Sequence, residues 1–281
     1  MTKLTGASYA KIALIIVFGA LILGAIGFGG CSTVWNRGIV GASNMGSANV
    51  DAASVKNLNI AWGAGGVDVN VVGEGDSIEL IETSTGGMTK AQEMRWNLNG
   101  DTLTIDYGQW FSCFMLGRKN LEVRIPQKYA QQFDAVDIDG ASGHYNLSDF
   151  GCDALNLKLA SGEVDARNLT ANDLRVDVAS GQLDINGRFA DRLNVRTASG
   201  DTRIVCDDVC PRTIDADIAS GLVSVAVPKD SGFTVSIDKA SGSFNSTFPL
   251  TQNGSTYMTG DGSANVSAHL ASGEFRMDAS N

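Results

Sequence analysis

The sequence predicts an all-β chain whose main part is a β-solenoid, a single-domain β-helix with rungs of about 20 residues. Three observations lead to this prediction. The tripeptide Ala-Ser-Gly occurs seven times in the second half of the chain. Apolar and polar residues alternate on both sides of each copy. The chain holds 33 glycines and only 4 prolines, which is typical of a protein built from short strands and tight turns.

The repeated tripeptide is interpreted as the corner of each rung. Successive copies lie 19, 19, 19, 21, 21 and 31 residues apart. The glycine would turn the corner without a Cβ clash, and the serine hydroxyl is predicted to form hydrogen bonds up and down the stack. A catalytic serine is not expected, because seven copies indicate a scaffold and no base accompanies them. The predicted corner glycines are Gly143, Gly162, Gly181, Gly200, Gly221, Gly242 and Gly273.

The residues that flank each corner predict one strand before it and one after it. Aliphatic residues stand five residues before every alanine of the tripeptide, and apolar residues three before it. One such unit cannot bury its apolar face, whereas stacked units form a continuous core. A polar column two residues before each alanine supports the stack. Its first five members alternate in charge, as neighbours about 4.8 Å apart would favour: Asp139, Lys158, Asp177, Arg196 and Asp217.

Composition excludes several classes of function. The net charge of −10 makes nucleic acid an unexpected partner, since an acidic surface repels phosphate. The only histidines, His144 and His269, lie far apart in the sequence. We therefore predict no catalytic residues, no cofactor and no metal site, and a protein that is not an enzyme.

The N-terminus predicts a membrane anchor. Residues 1–11 would be a short cytoplasmic segment with Lys3 and Lys11, and residues 12–30 an apolar span long enough for a bilayer. Residues 31–57 are predicted to be a Gly/Ser-rich tether, and residues 58–281 the solenoid outside the membrane. The alternative is a cleaved lipoprotein leader with Cys31 as the lipidated residue, although Phe28 stands where that motif has an aliphatic residue.

Four further cysteines fit disulfides in an exported domain. Cys206 and Cys210 could close a short loop, with two free thiols or a metal site that includes Asp207 and Asp208 as alternatives. A disulfide between Cys113 and Cys152 is predicted only because these two cysteines are left after Cys206 and Cys210.

Three segments interrupt the regular pattern. In residues 86–120, a hairpin is predicted at Asn99-Gly100-Asp101, and the apolar cluster 110–116 is interpreted as core or cap, with an exposed aromatic ligand patch as the alternative. The other two are a loop at 205–211 and an insertion at 243–264, which is either a contact site or a tolerated surface excursion.

The order of motifs resembles a bacterial family of candidate adhesins of the DUF4097 type. The resemblance rests on Leu58-Asn-Ile-Ala-Trp, Gly66-Val-Asp-Val, Leu121-Glu-Val-Arg-Ile-Pro and the repeated strand–Ser-Gly–strand units, and it covers roughly residues 55–280. It implies a β-helical fold and a location in the bacterial cell envelope. It supplies no catalytic residues.

Three functions follow as hypotheses. The first is a non-enzymatic adhesin, anchored in the bacterial cell membrane, that binds a protein or glycan through a solenoid face or loop. The second is an accessory or sensor of an envelope stress response, which resemblance to similar proteins suggests. The third is a carbohydrate-active enzyme that would use Asp165 and Asp184, two carboxylates in one repeat column. A charged ladder on a solvated face is the simpler account of that pair.

Overall fold

The computed structural model describes residues 44–108 and 119–280. The predicted anchor at 12–30, Cys31, Cys113 and the cluster at 110–116 lie outside these residues. Within the two described ranges, no helix has both the length and the apolar character to cross a membrane. The helices described are three single turns of 3₁₀ type, Ala52–Ser54, Lys90–Gln92 and Gln127–Tyr129.

The strands form two stacks of parallel strands, joined at the corners. Stack A holds the strands that precede the corners, and stack B those that follow them. In spatial order stack A contains β3 (Asn57–Trp62), β9 (Phe133–Gly140), β11 (Gly151–Leu159), the second halves of β12 (Glu163–Val178) and β13 (Gln182–Thr197), β15 (Thr213–Ile218), β21 (Ala264–Leu270) and β17 (Phe233–Lys239). Stack B contains β4 (Gly66–Val72), β10 (His144–Ser148), the first halves of β12 and β13, β14 (Asp201–Cys206), β16 (Leu222–Pro228), β22 (Glu274–Ser280) and β18 (Ser243–Ser246).

Antiparallel strands close both ends of the solenoid. At the first end, β7 (Thr102–Asp106) and β8 (Lys119–Pro126) add parallel strands to β3 and β4. They carry β6 (Arg95–Asn99) and β5 (Ser77–Ser84), which in turn pair with β1 (Asn44–Met45) and β2 (Ala48–Asp51). At the other end, β20 (Thr256–Thr259) pairs with β17 and with β19 (Thr251–Asn253). The outermost strands have two to four residues, which limits edge-to-edge association.

The seventh copy of the repeat does not follow the sixth in space. The rung β21–β22 lies between the rung β15–β16 and the rung β17–β18, and it is parallel to both. The chain therefore leaves one position empty after β16, forms the next rung and the hairpin β19–β20, and returns to fill the position. We call β21–β22 the inserted rung.

The predicted corners are correct, and the glycine is required by close packing of the backbone. Six of the seven corner glycines have a positive φ, for example +149° at Gly181. A Cβ on Gly181 would lie 2.2 Å from the carbonyl oxygen of Gly162 in the neighbouring rung. Gly273 in the inserted rung is the exception, because its φ is not in this range. The corner column also begins one rung earlier than predicted, since Gly143 stacks on Gly65.

The predicted role of the corner serines is wrong. All seven serine residues are exposed, and their backbone N–H groups, not their hydroxyls, bond to the next rung, as in Ser161 N–H to the Ala141 carbonyl at 3.0 Å. The hydroxyls are therefore left to the solvent, and a small polar residue suits this exposed corner.

The predicted tether is also too long. Residues 44–57, its last part, form β1, β2 and a 3₁₀ turn instead of an extended linker. Val50, Ala52 and Val55 are buried in the core, and β2 is hydrogen-bonded to β5. The folded domain therefore includes residues from Asn44 onward. The short sequence Asn44–Asp51 lacks the alternation of a long strand, which explains why the pattern did not reveal it.

Candidate functional site

A cleft of about 920 Å³ lies where the rungs depart from the regular repeat. Three loops line it: residues 208–212 before β15, residues 228–232 before β17, and residues 261–264 before β21. Two of them belong to segments singled out in the sequence, 205–211 and 243–264. The structure brings both segments together, and it adds the turn at 228–232, which the sequence analysis did not consider.

Backbone hydrogen bonds fix the three loops to one another. The N–H of Ala264 donates to the Gly232 carbonyl at 3.1 Å, and the N–H of Asn265 donates to the Arg212 carbonyl at 2.9 Å. Gly232 must be a glycine, since its Cβ would lie 1.9 Å from Oδ1 of Asp261. The walls of the cleft are thus held by the same ladder that holds the solenoid, which makes the site largely pre-formed.

Carboxylates dominate the lining. The lining includes Asp208, Asp230 and Asp261 and one cation, Arg212, whose Nη1 lies 3.3 Å from Asp191. The hydroxyl and the N–H of Ser263 hold the pKa of Asp261 below its usual value, so this carboxylate is charged at neutral pH. Charged carboxylates beside serine hydroxyls and backbone groups are acceptors suited to hydroxyl-rich or amine-bearing ligands.

The described cysteines are free thiols. Cys206 is buried in the core, and Cys210 is on the wall of the cleft, where burial raises its pKa to about 11. Burial raises the pKa of Cys152 to about 12. Of the alternatives for Cys206 and Cys210, the structure has two free thiols and not the disulfide. Protonated thiols are weak nucleophiles, so this pair gives no sign of covalent chemistry. The partner suggested for Cys152, Cys113, lies outside the described residues.

No metal site forms among residues 44–108 and 119–280, since these ranges hold no group of three or more His, Cys, Asp or Glu side chains placed to bind an ion. Asp207 does not join Cys206 and Cys210 around a centre. Its Oδ1 accepts a hydrogen bond from Asn186 Nδ2 at 3.0 Å. The metal alternative for this loop is therefore not supported.

Asp165 and Asp184 are neighbours, as their shared column predicts, but each belongs to an ion pair. They are register partners on β12 and β13. Arg167 Nη2 lies 2.6 Å from Asp165, and Arg203 Nη1 lies 3.8 Å from Asp184. All four side chains are at least one third exposed. This is the charged ladder on a solvated face, and neither residue lines the cleft.

A buried ion pair near the first end of the solenoid was missed by the sequence analysis. Nζ of Lys119 lies 2.6 Å from Oε1 of Glu82, and both side chains are at most 2 % exposed. The ammonium also donates to the carbonyls of Gln92 (2.8 Å) and Tyr107, and it lies 4.4 Å from the Tyr107 ring centroid. These contacts join β5, β8 and the loop before β6, so the pair stabilises the end of the solenoid. No local pattern links residues 37 positions apart, which is the separation of 82 and 119.

Comparison with known proteins gives a family and several similar folds. The family model Toastrack DUF4097 matches residues 55–278. A candidate cell adhesion protein from Clostridium sporogenes is 14 % identical, with a TM-score of 0.38, 85 % of this chain covered and 100 % of that one. A candidate adhesin from Bacteroides fragilis is 12 % identical, with a TM-score of 0.40 and coverage of 85 % and 100 %.

A third similar structure, a candidate adhesin from Parabacteroides distasonis, is 10 % identical, with a TM-score of 0.39 and coverage of 85 % and 98 %. No curated protein matches the chain. The family match covers the rungs, the corners, and strands β5 and β6 of the first end, and it begins after β1 and β2. The chain therefore belongs to the Toastrack DUF4097 family.

Proposed function

We propose that this protein is a non-enzymatic adhesin of the bacterial cell envelope that binds a protein or glycan partner in the cleft between residues 208–212, 228–232 and 261–264. In this proposal residues 12–30 anchor it in the membrane, with the N-terminus in the cytoplasm and the solenoid outside. The observation that carries the proposal is the convergence of three irregular loops on one cleft. Loops on a rigid scaffold are where binding residues concentrate.

The chemistry of the cleft favours a polar partner. Three carboxylates, two serines and backbone groups line it, together with the short apolar side chains of Val209, Pro228 and Ala264. A sugar presents the same combination of hydroxyls and small apolar faces. Glycoside hydrolysis uses a pair of carboxyl groups, one of which is a general acid with a raised pKa. The hydrogen bonds from Ser263 instead lower the pKa of Asp261, which makes this carboxylate unsuited to be that acid. Binding without turnover is therefore the function that this cleft supports best.

A binding experiment on the full-length protein tests the proposal. The protein, in detergent, is applied to a glycan array and to an array of envelope proteins, beside the double variant Asp208→Asn/Asp230→Asn. These changes keep the shape of the loops, since asparagine tolerates the left-handed φ of +58° at position 208. Loss of one charge-assisted hydrogen bond costs about 1.5 kcal/mol or more, so we expect binding to weaken about tenfold.

The matched control is Asp165→Asn/Asp184→Asn, which removes two carboxylates from the face of stack B, outside the cleft. It should bind as the unchanged protein does. Equal weakening in both double variants would exclude the cleft as the site. Recovery of a membrane signalling kinase as the sole partner would instead support the stress-response function. Cleavage of any arrayed glycan would contradict the proposal of a non-enzymatic protein.

A further inference from the structure

The inserted rung points to an interaction between two copies of this chain. It consists of residues 264–280, and it fills a slot between two rungs that precede it in the sequence. We propose that this segment can be exchanged, so that residues 264–280 of one copy fill the slot of a second copy and the reverse, giving a strand-swapped dimer.

Both sides of the slot are formed by parts of the chain other than the segment that fills it. One side is formed by β15 and β16, and the other by β17 and β18, and all four strands pair with the inserted rung in parallel register. The segment buries Val266, Leu270, Phe275 and Met277 between them, each at most 3 % exposed. Withdrawal of the segment would leave two strand edges and an apolar gap, which strongly favours refilling by an equivalent segment.

Charge and shape restrict what can fill the slot. His269 is flanked in register by Asp217 on one side and by Asp238 on the other. His269 separates the two aspartates, which would repel each other if they were direct neighbours. The imidazole Nδ1 lies 4.0 Å from Oδ2 of Asp238. At the corner, Gly273 fits between Gly221 and Gly242.

The same segment of a second copy meets every one of these requirements. The strands that carry a permanent cation in this column, at Lys158 and Arg196, are both paired on two sides in the middle of the stack. Exchange replaces each contact by an identical one, so the swapped and unswapped forms differ little in contact energy. The predicted partner is therefore this chain itself.

A hinge for the exchange lies directly before the inserted rung. Residues 260–263 connect β20 to β21 and cross from one side of β17 to the other. Gly260 and Gly262 have φ values of +56° and +66° in this turn. Glycine also adopts the extended conformation without strain, so the same four residues can open and direct β21 into a neighbouring molecule.

Cross-linking between single-cysteine additions tests the exchange. Ser224 on β16 and Arg276 on β22 are register partners, and neighbouring strands about 4.8 Å apart lie within the Cα separation of a disulfide. One full-length protein carries Ser224→Cys and a second carries Arg276→Cys. They are mixed at high concentration, warmed below the unfolding transition and oxidised. We expect a disulfide-linked heterodimer with twice the mass of one chain, identified by peptide mapping of the 224–276 link.

Two controls make the outcome decisive. Asp184→Cys and Arg203→Cys in separate proteins label register partners in the middle of the solenoid, where exchange would require the whole stack to open, and they should give no specific heterodimer. Ser224→Cys and Arg276→Cys in one chain should link within that chain. Formation of this internal link, together with no more heterodimer than the mid-solenoid control, would overturn the proposal. Failure of the internal link would contradict the inserted rung itself.

Discussion

At the corner glycines, the absence of a Cβ atom permits the close approach of neighbouring rungs. At Gly181 two effects coincide: φ is +149°, and a Cβ at this position would lie 2.2 Å from the Gly162 carbonyl oxygen. The period of the tripeptide predicts the corners, and the turn at each corner predicts a glycine there. The approach of neighbouring backbones could not be predicted in this way, because it depends on the geometry of the stack.

Substitution of glycines separates the two effects. Gly181→Ala should lower the free energy of unfolding by about 3 kcal/mol or more, since strain and clash add. Gly100→Ala, with φ +64° and no atom within 4 Å, should cost about 1 kcal/mol from strain alone. Gly73→Ala, with neither feature, should be near neutral. Urea unfolding followed by circular dichroism measures all three, and equal costs at 181 and 100 would contradict the role of the clash.

The buried Lys119–Glu82 pair predicts a large effect from removal of one partner. Lys119→Met should destabilise the protein by about 3–5 kcal/mol, because it leaves the Glu82 carboxylate buried without its cation. The double variant Glu82→Leu/Lys119→Met should recover much of this loss. The exposed pair is the control, and Arg167→Met beside Asp165 should cost at most about 1 kcal/mol. A small cost for Lys119→Met in urea unfolding would show that the pair does not stabilise this end.

Asp106 gives a pH dependence with a defined sign. Burial raises the pKa of Asp106 above its usual value, although the Gly108 N–H opposes the shift. The folded state therefore binds this proton more tightly than the unfolded state, and the contribution of Asp106 to stability falls as pH rises through the raised pKa. In the Asp106→Asn variant the amide oxygen still accepts a hydrogen bond from the Gly108 N–H, but the side chain does not titrate. The loss of stability with rising pH should therefore disappear.

The measurement is the urea midpoint of both proteins between about pH 4 and pH 7. The unchanged protein should lose stability relative to Asp106→Asn as pH rises across this range. A difference between the two proteins that stays constant with pH would contradict the raised pKa.

At the scale of single elements, the inserted rung is the main departure from what the sequence predicts. The alternation of charge was visible for the five members Asp139 to Asp217, because their order in space follows the chain. In the sequence it ends there, since Asp238 follows Asp217. In the structure these two aspartates are not neighbours, because His269 lies between them. The 31-residue step was the only sign of this arrangement, and a step length does not reveal where a strand returns.

The backbone amides of the inserted rung should be protected from hydrogen exchange as strongly as those in the middle of the stack. Its two strands are hydrogen-bonded on both sides, unlike β19, which pairs with β20 alone in the described part of the chain. Hydrogen exchange measured by mass spectrometry should therefore show slow exchange in peptides from β21 and fast exchange in peptides from β19. Fast exchange throughout residues 264–280 would mean that the rung opens independently of its neighbours.

At the scale of the whole molecule, the solenoid could be predicted and its ends could not. Every rung has the same local pattern of apolar and polar residues. The period and the alternation in the sequence were therefore enough to identify the fold, the corners and the register. The ends depend on pairings without a repeat, such as β5 on β8 and Lys119 with Glu82. The cleft itself was not predicted, because the sequence marked two irregular segments but not that they meet beside the turn at 228–232.

The order of the rungs also has a consequence for biosynthesis. Residues 264–280 leave the ribosome after both of the rungs that they separate. Until then β17–β18 has no rung on its inner side, and its final position is two strand spacings, or about 9.6 Å, from β15–β16. The solenoid therefore cannot form one rung at a time in the order of synthesis. Residues 264–280 must instead enter between two rungs that precede them in the sequence. Nascent chains that stall before residue 264 would lack the strands that join β17–β18 to β15–β16.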